Sequence, residues 1–258
     1  MITVVTICYN AENDIEKTIL SVINQKNCEI EYIIVDGAST DGTMTIVNRY
    51  REHISKIISE PDHGIYDAMN KGIKLATGDW ISFMNAGDAY NNCEAVSTLL
   101  NMVESSTVIA YGDYNSVFRE CKKIRKPYPL VQMNKRMCFG HPSTFVKSTY
   151  HKQHLFDTSY KICADYKMLY DAYYKDKVVF QYVPVVVADF EAENGISSTN
   201  FLLRIREDAR IQEIDKTFIW RLMYCYRYVT YYTKQIIKKI VPKHFLDKRK
   251  KRLINNLH

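Results

Sequence analysis

Residues 3–8, 32–35 and 80–84 are apolar without alternation, and 56–59 is a shorter run of the same kind. Continuous apolar character in short runs marks strands covered on both faces, as in a parallel sheet. Between these runs the apolar positions take helical spacing. Ile15, Ile19, Val22 and Ile23 share one face, Met44, Val47 and Tyr50 a second, and Met69, Ile73 and Ala76 a third. Glu12, Asp14 and Glu16 stand in the acidic first turn that a helix dipole favours. The third helix is predicted over 67–77, with Gly78 suited to the position just past its end. Strand and helix alternate through the first hundred residues, which predicts an α/β fold around a mostly parallel sheet flanked by helices.

The pattern weakens further on. Residues 91–100 predict a helix and 108–113 a strand, while 122–136 reads as a basic loop broken by proline. A helix from Asp165 should bury Met168, Leu169, Ala172 and Tyr173, and 178–190 is strand-rich. No internal repeat is present.

Ligands of parallel sheets gather at the carboxyl ends of the strands. Polar residues stand at each of these ends: Tyr9 and Asn10, then Asp36, then Glu60 and Asp62, then Asn85 to Asp88. The last cluster says most. A carboxylate that follows glycine at the exposed end of a buried strand suits a hard divalent cation sharing oxygen ligands with a diphosphate. Residues 59–88 therefore predict metal–diphosphate chemistry.

Other chemistries are excluded by what is missing. The nine glycines form no GxG pair, and neither a GxxxxGK[ST] loop nor a GxSxG elbow occurs. His151 and His154 lack a third ligand for zinc. The seven cysteines are scattered and odd in number, which argues for a reducing compartment. The first residues lack a basic n-region and read as a strand, and no run approaches the ~20 apolar residues of a spanning helix.

The net charge of +6 is unevenly placed. Residues 216–258 hold twelve Lys and Arg against one acid, Asp247, which leaves a mildly acidic body. Phe218, Trp220, Tyr224, Tyr226, Tyr231 and Tyr232 are interleaved with those cations. An amphipathic, polybasic segment of this kind fits an anionic membrane surface. It also admits packing on the body or a homodimer contact.

Ordered blocks along residues 1–200 resemble family 2 glycosyltransferases of the GT-A fold. They are TVVTICYN, YIIVDGASTDGT, DHGIYDAMNKGI with ATGDWISFMNAGD, and the later GHPSTF, ADYKML and NGISS elements. The DHGIYDAMNKG form is similar to bacterial enzymes that build colanic-acid-like, capsular or lipopolysaccharide glycans. The resemblance implies a catalytic domain over 1–205, with a nucleotide-sugar half to about 110 and an acceptor half from 111, then a helical basic extension over 206–258. It implies a nucleoside-diphosphate-sugar donor, a UDP-sugar above others, and a glycan or polyprenyl-linked acceptor. Thr6 and Tyr9 would cradle the base, Asp36 would accept the uracil ring N–H, and Asp67 and Asn85 would add nucleotide contacts. Asp88 would bind Mn²⁺ or Mg²⁺, although Asn85 and Gly87 stand where many relatives carry acids.

Asp165 matches the base that deprotonates the acceptor in inverting relatives, and His141 would contact acceptor or diphosphate. Asp88 and Asp165 also suit helix caps, Ser39 and Asp41 suit loop capping, and Lys71 and Lys74 read as solvated. The implied location is cytoplasmic, at the inner face of a bacterial membrane. A nucleotidyltransferase would need a Gly-rich basic loop that 9–14 lacks. A nucleic-acid-binding reading leaves the strand-end acids unexplained, so no nucleic-acid partner is expected.

Overall fold

The computed structural model describes residues 1–118, 121–192 and 200–240. The NGISS element and the basic cluster over 248–252 lie outside the described residues. The chain divides into a unit over residues 1–200 and a second over 201–258.

The first unit opens with β1 (Ile2–Cys8), α1 (Ile15–Ile23), β2 (Ile30–Asp36), α2 (Thr43–Arg49), β3 (Lys56–Ser59), α3 (Ile65–Leu75) and β4 (Trp80–Phe83). It continues with β5 (Ala89–Tyr90), α4 (Ala95–Asn101), β6 (Ile109–Val117), β7 (Lys122–Arg125), β8 (Thr144–Lys147), α5 (Ser148–Gln153), α6 (Ala164–Tyr174) and β9 (Phe180–Glu191). The nine strands among the described residues form one sheet in the order β3-β2-β1-β4-β8-β6-β9-β5, with β7 added to β6.

β1 is buried along its whole length, because helices cover both of its faces. Ile15, Ile19 and Val22 of α1 and Val47 of α2 pack on one side, over Ile2, Val4, Tyr32 and Ile34. Each fully buried aliphatic side chain of this kind stabilises the fold by about 1.5–3 kcal/mol. The four-strand parallel half of the sheet is as expected, with Cys8 opposite Asp36 and Val5 opposite Phe83. Beyond β4 the sheet is mixed: β8 runs antiparallel to β4 and β6, and β6 runs parallel to β9.

Several expectations change. Helix α3 ends at Leu75 with Ala76 as its cap, so Gly78 is not its terminator. Glycine is needed there because a Cβ would stand 2.6 Å from the Thr3 nitrogen of β1. Helix α4 starts at Ala95 with Glu94 as its cap, so Asp88 does not cap it. The supposed loop over 122–136 contains β7 and a 3₁₀ turn, Leu130–Asn134. β7 is exposed throughout, and a charged edge strand carries no apolar period to reveal it. Tyr173 is only half-buried.

The second unit consists of α7 (Phe201–Ile211) and α8 (Phe218–Ile240). Tyr231 stacks on Phe201, and Arg206 lies over the Tyr224 ring.

Candidate active site at the strand ends

The order β3-β2-β1-β4 reverses direction between β1 and β4, which opens a crevice at their carboxyl ends. Tyr9, just past β1, is 65% exposed there and offers a free ring face. Asn10 follows with φ +47, a left-handed conformation that asparagine tolerates. Its N–H donates to the Ser39 hydroxyl (2.8 Å), and its side-chain oxygen accepts the Thr40 N–H (2.9 Å). The loops after β1 and β2 are thereby stitched together.

Asp36 lies beneath them, fully buried. One carboxylate oxygen accepts the Ser39 N–H (3.0 Å) and the Ser59 hydroxyl (2.7 Å); the other accepts the Ser39 hydroxyl (2.5 Å) and the Cys8 thiol (3.6 Å). Burial, then Asp36 itself, pushes the Cys8 thiol far up, so it stays protonated. Thr6 requires a correction. Its side chain is fully buried, and its hydroxyl donates to the Met84 carbonyl (2.7 Å) beside the Tyr32 hydroxyl (2.9 Å). Thr6 fastens β1 to the end of β4 and does not face a ligand.

The segment after β4 folds as a tight turn. The Asp88 N–H donates to the Asn85 carbonyl (3.0 Å), and Gly87 takes φ +101, where a side chain would be strained. Thr18 of α1 holds this turn from below: its hydroxyl donates to the Asp88 carbonyl (2.7 Å) and accepts the Gly87 N–H (3.0 Å). The Asp88 carboxylate is buried and accepts the Glu191 N–H from β9 (3.0 Å). Burial raises its pKa to about 7, against the pull of the Glu191 N–H and of Lys17. The side-chain oxygen of Asn85 is buried with no partner among the described residues.

A carboxylate short of positive charge beside an unpartnered amide oxygen is a hard-oxygen donor set that fits Mg²⁺ or Mn²⁺. Among the described residues no group of three or more His, Cys, Asp or Glu could hold a metal.

Asp67 stands in the first turn of α3, where it accepts the His63 N–H (3.0 Å) and orders the loop before the helix. Lys71 is not solvated as expected: it pairs with Glu60 (2.9 Å) and donates to the Pro61 carbonyl (3.0 Å).

Asp165 lies in the first turn of α6, two residues past the Cys163 cap, so it is not itself the cap. Its Oδ1 accepts the Tyr166 N–H (2.8 Å) and lies 2.9 Å from the Tyr66 hydroxyl of α3. Its Oδ2 is 3.5 Å from His141 Nδ1. His141 begins a 3₁₀ turn and stacks on Phe83 of β4 at 5.4 Å. Burial lowers its pKa, with Asp165 opposing, and its Nε2 is buried without a partner among the described residues. A cavity of about 10 Å³, the size of one water, lies between His141, His151, Phe156 and Asp165. His141 thus sits against the proposed base.

Two residues of α3 escaped the sequence reading. Tyr66 and Asn70 share one face at i, i+4, and they reach Asp165 and Phe156 respectively. The Asn70 amide donates to the Phe156 carbonyl (2.9 Å) and accepts the Phe156 N–H (2.9 Å). Polar residues at helical spacing on an otherwise buried face were the available signal.

The parallel half-sheet, the metal-suited turn and the mixed half beyond it make up a GT-A fold. The chain belongs to glycosyl transferase family 2, whose model matches residues 3–176. It is 27% identical over 208 residues to a PGL/p-HBAD biosynthesis glycosyltransferase of Mycobacterium bovis, covering 74% of this chain and 78% of that one. To the putative teichuronic acid biosynthesis glycosyltransferase TuaG of Bacillus subtilis it is 33% identical over 118 residues, 45% and 47% of the two chains. Among solved structures it resembles S. aureus TarS 1–349 in complex with UDP (TM-score 0.63, 18% identity), covering 81% of this chain and 64% of that one. It also resembles the Pyrobaculum calidifontis mannosyltransferase PcManGT with GDP-Man and Mn²⁺ (TM-score 0.63, 18% identity), covering 81% and 62%. At such identities the two structural likenesses concern the fold.

Proposed function

We propose that this glycosyltransferase moves a sugar, with inversion, from a nucleoside-diphosphate sugar to a hydroxyl of a glycan or lipid-linked acceptor in bacterial surface polysaccharide synthesis. One observation carries the reading: Asp88 and the unpartnered Asn85 oxygen share a turn at the same sheet edge as the exposed Tyr9 ring. Tyr9 stacks on the base. Asp36, fully buried as it stands, would take a uracil N–H with the Ser39 loop above it displaced and the Cys8 thiol, the longest of its four contacts, released. Uracil, thymine and guanine carry such a ring N–H and cytosine and adenine do not, and a structural neighbour in complex with UDP favours a UDP-sugar among these. Asp67 completes the nucleotide contacts from the start of α3.

Asp88 and Asn85 are the residues that would hold Mn²⁺ or Mg²⁺ together with the diphosphate. When bound, the ion neutralises charge on the leaving diphosphate as a Lewis acid. Asp165 accepts the acceptor's hydroxyl proton on Oδ2, because Oδ1 already faces two donors. His141, kept neutral by burial, leaves that oxygen its negative charge. A relative named for teichuronic acid biosynthesis supports a polysaccharide or its lipid-linked precursor as acceptor.

We place the enzyme at the cytoplasmic membrane surface through α8. At ~100° per residue, Phe218, Leu222, Tyr226, Val229 and Ile236 fall on one face. All five are exposed, Phe218 and Tyr226 at 73% and 71%. Arg221 is exposed on the flank of this face and Arg227 is exposed away from it, while Tyr224 and Tyr231 on the far side meet α7. No helix among the described residues is long and apolar enough to cross a membrane, so α8 lies in the plane of the interface. A second copy would set like charges against each other, which favours anionic lipid. Flotation with anionic liposomes should be lost on deleting 216–258; equal binding by the truncated chain refutes the placement.

The donor is tested by thermal shift with UDP-, GDP- and TDP-sugars, each with and without Mn²⁺. A UDP-sugar should stabilise the protein most, and only with the metal. No response to any nucleotide sugar overturns the reading.

A further inference from the structure

The Tyr66 hydroxyl stands 2.5 Å from the Ile162 carbonyl and 2.9 Å from Asp165 Oδ1. A phenol has one proton, and neither a carbonyl nor a carboxylate can donate. Tyr66 can therefore satisfy only one of these acceptors at a time. Burial and then Asp165 hold its pKa well above the ordinary range, so it remains a neutral phenol.

We infer that Tyr66 is a positioning residue that follows the charge on Asp165, turning its single proton between the base and the Ile162 carbonyl. The inference rests on Asp165 being the base. As a carboxylate, Asp165 is the stronger acceptor, because a charge-assisted hydrogen bond outweighs a neutral one. In the transfer step the acceptor O–H bond breaks and its proton goes to Oδ2. The acceptor oxygen bonds to the anomeric carbon, and the anomeric C–O bond breaks with its electron pair leaving on the diphosphate. Asp165 is then uncharged and a weaker acceptor, so the phenol proton turns to Ile162. No heavy atom has to move, and no Tyr66 bond breaks.

Tyr66 thus holds Oδ1 of the base from α3, the helix that also carries Asp67. The other titratable groups facing this pair are His141 against Oδ2, Cys163 before the helix, and His151 across the small cavity. The Tyr66 ring is fixed by Phe156 at 5.3 Å, itself clasped by Asn70.

The test is the pH profile of kcat/KM for wild type, Tyr66→Phe and Asp165→Asn. Loss of a charge-assisted hydrogen bond should move the acidic limb of Tyr66→Phe upward by about one to two pH units, with donor KM unchanged. A purely structural role would lower activity by one factor at every pH and leave the limb in place, which overturns the inference. Site-specific replacement of Tyr66 by 3-fluorotyrosine keeps the ring and hydroxyl while making the phenol a stronger donor. Its limb should move downward, and an unmoved or raised limb also overturns the inference, even where Tyr66→Phe fails to fold. An active Asp165→Asn enzyme would remove the base assignment and this inference with it. An inactive one, with unmoved limbs in the Tyr66 variants, removes only the role of Tyr66.

Discussion

Asp88→Asn should make the metal-free protein more stable while destroying its function. The Asp88 carboxyl is buried, and burial raises its pKa from 3.8 to about 7. In the unfolded chain it ionises near the ordinary value, so between those two pH values the folded state binds the extra proton. Stability from this group is therefore full below pH 3.8 and is lost as pH rises through about 7. At pH 8 the cost of the bare carboxylate is about 4 kcal/mol, from ~1.4 kcal/mol per pH unit. An amide removes that cost and still accepts the Glu191 N–H. In a chain of this size the gain corresponds to a Tm increase on the order of 10 °C. The assay is thermal and urea unfolding in EDTA from pH 4 to 8, then again with Mn²⁺ and a UDP-sugar. Relative to Asp88→Asn, wild type should lose stability as pH rises through about 7 and recover with metal and donor by linkage, a recovery that Asp88→Asn should lack. An Asp88→Asn protein less stable than wild type at pH 8 in EDTA would refute the reasoning.

His151, buried against Phe83 and Phe156, has its pKa lowered to about 4, first by burial. Its contribution to stability is full above pH 6.5 and should fall by about 3 kcal/mol as pH drops through 4; His151→Phe should abolish that slope relative to wild type in urea titrations. Asn70→Ala leaves both the N–H and the carbonyl of Phe156 unpaired, at about 1–3 kcal/mol for each group. It should also lower kcat more than it raises donor KM, since it loosens the acceptor half alone; unchanged steady-state kinetics and melting would contradict this.

Much of the first hundred residues could be read from residue pattern. Buried parallel strands are apolar on both faces, and their polar residues have nowhere to go but the ends, so Tyr9, Asp36 and the turn from Asn85 to Asp88 stand out. Thr6 misled because a threonine near a strand end reads as surface, when its hydroxyl is spent on the Met84 carbonyl. Thr18 was invisible, since nothing in α1 shows that its hydroxyl holds a turn seventy residues later. Beyond about residue 110 the pattern failed. β7 is a charged edge, and Tyr66, Asn70, His141 and Asp165 meet only through long-range packing that no local period encodes. The role proposed for Asp165 comes from family resemblance alone.

The account claims that the strand-end turn holds the leaving diphosphate while Asp165 takes the acceptor's proton. Transfer by Asp165→Asn, with donor binding measured in parallel, tests this most directly. The variant should bind a UDP-sugar with Mn²⁺ as wild type does and give no product above background. Near-normal turnover by Asp165→Asn would contradict the account.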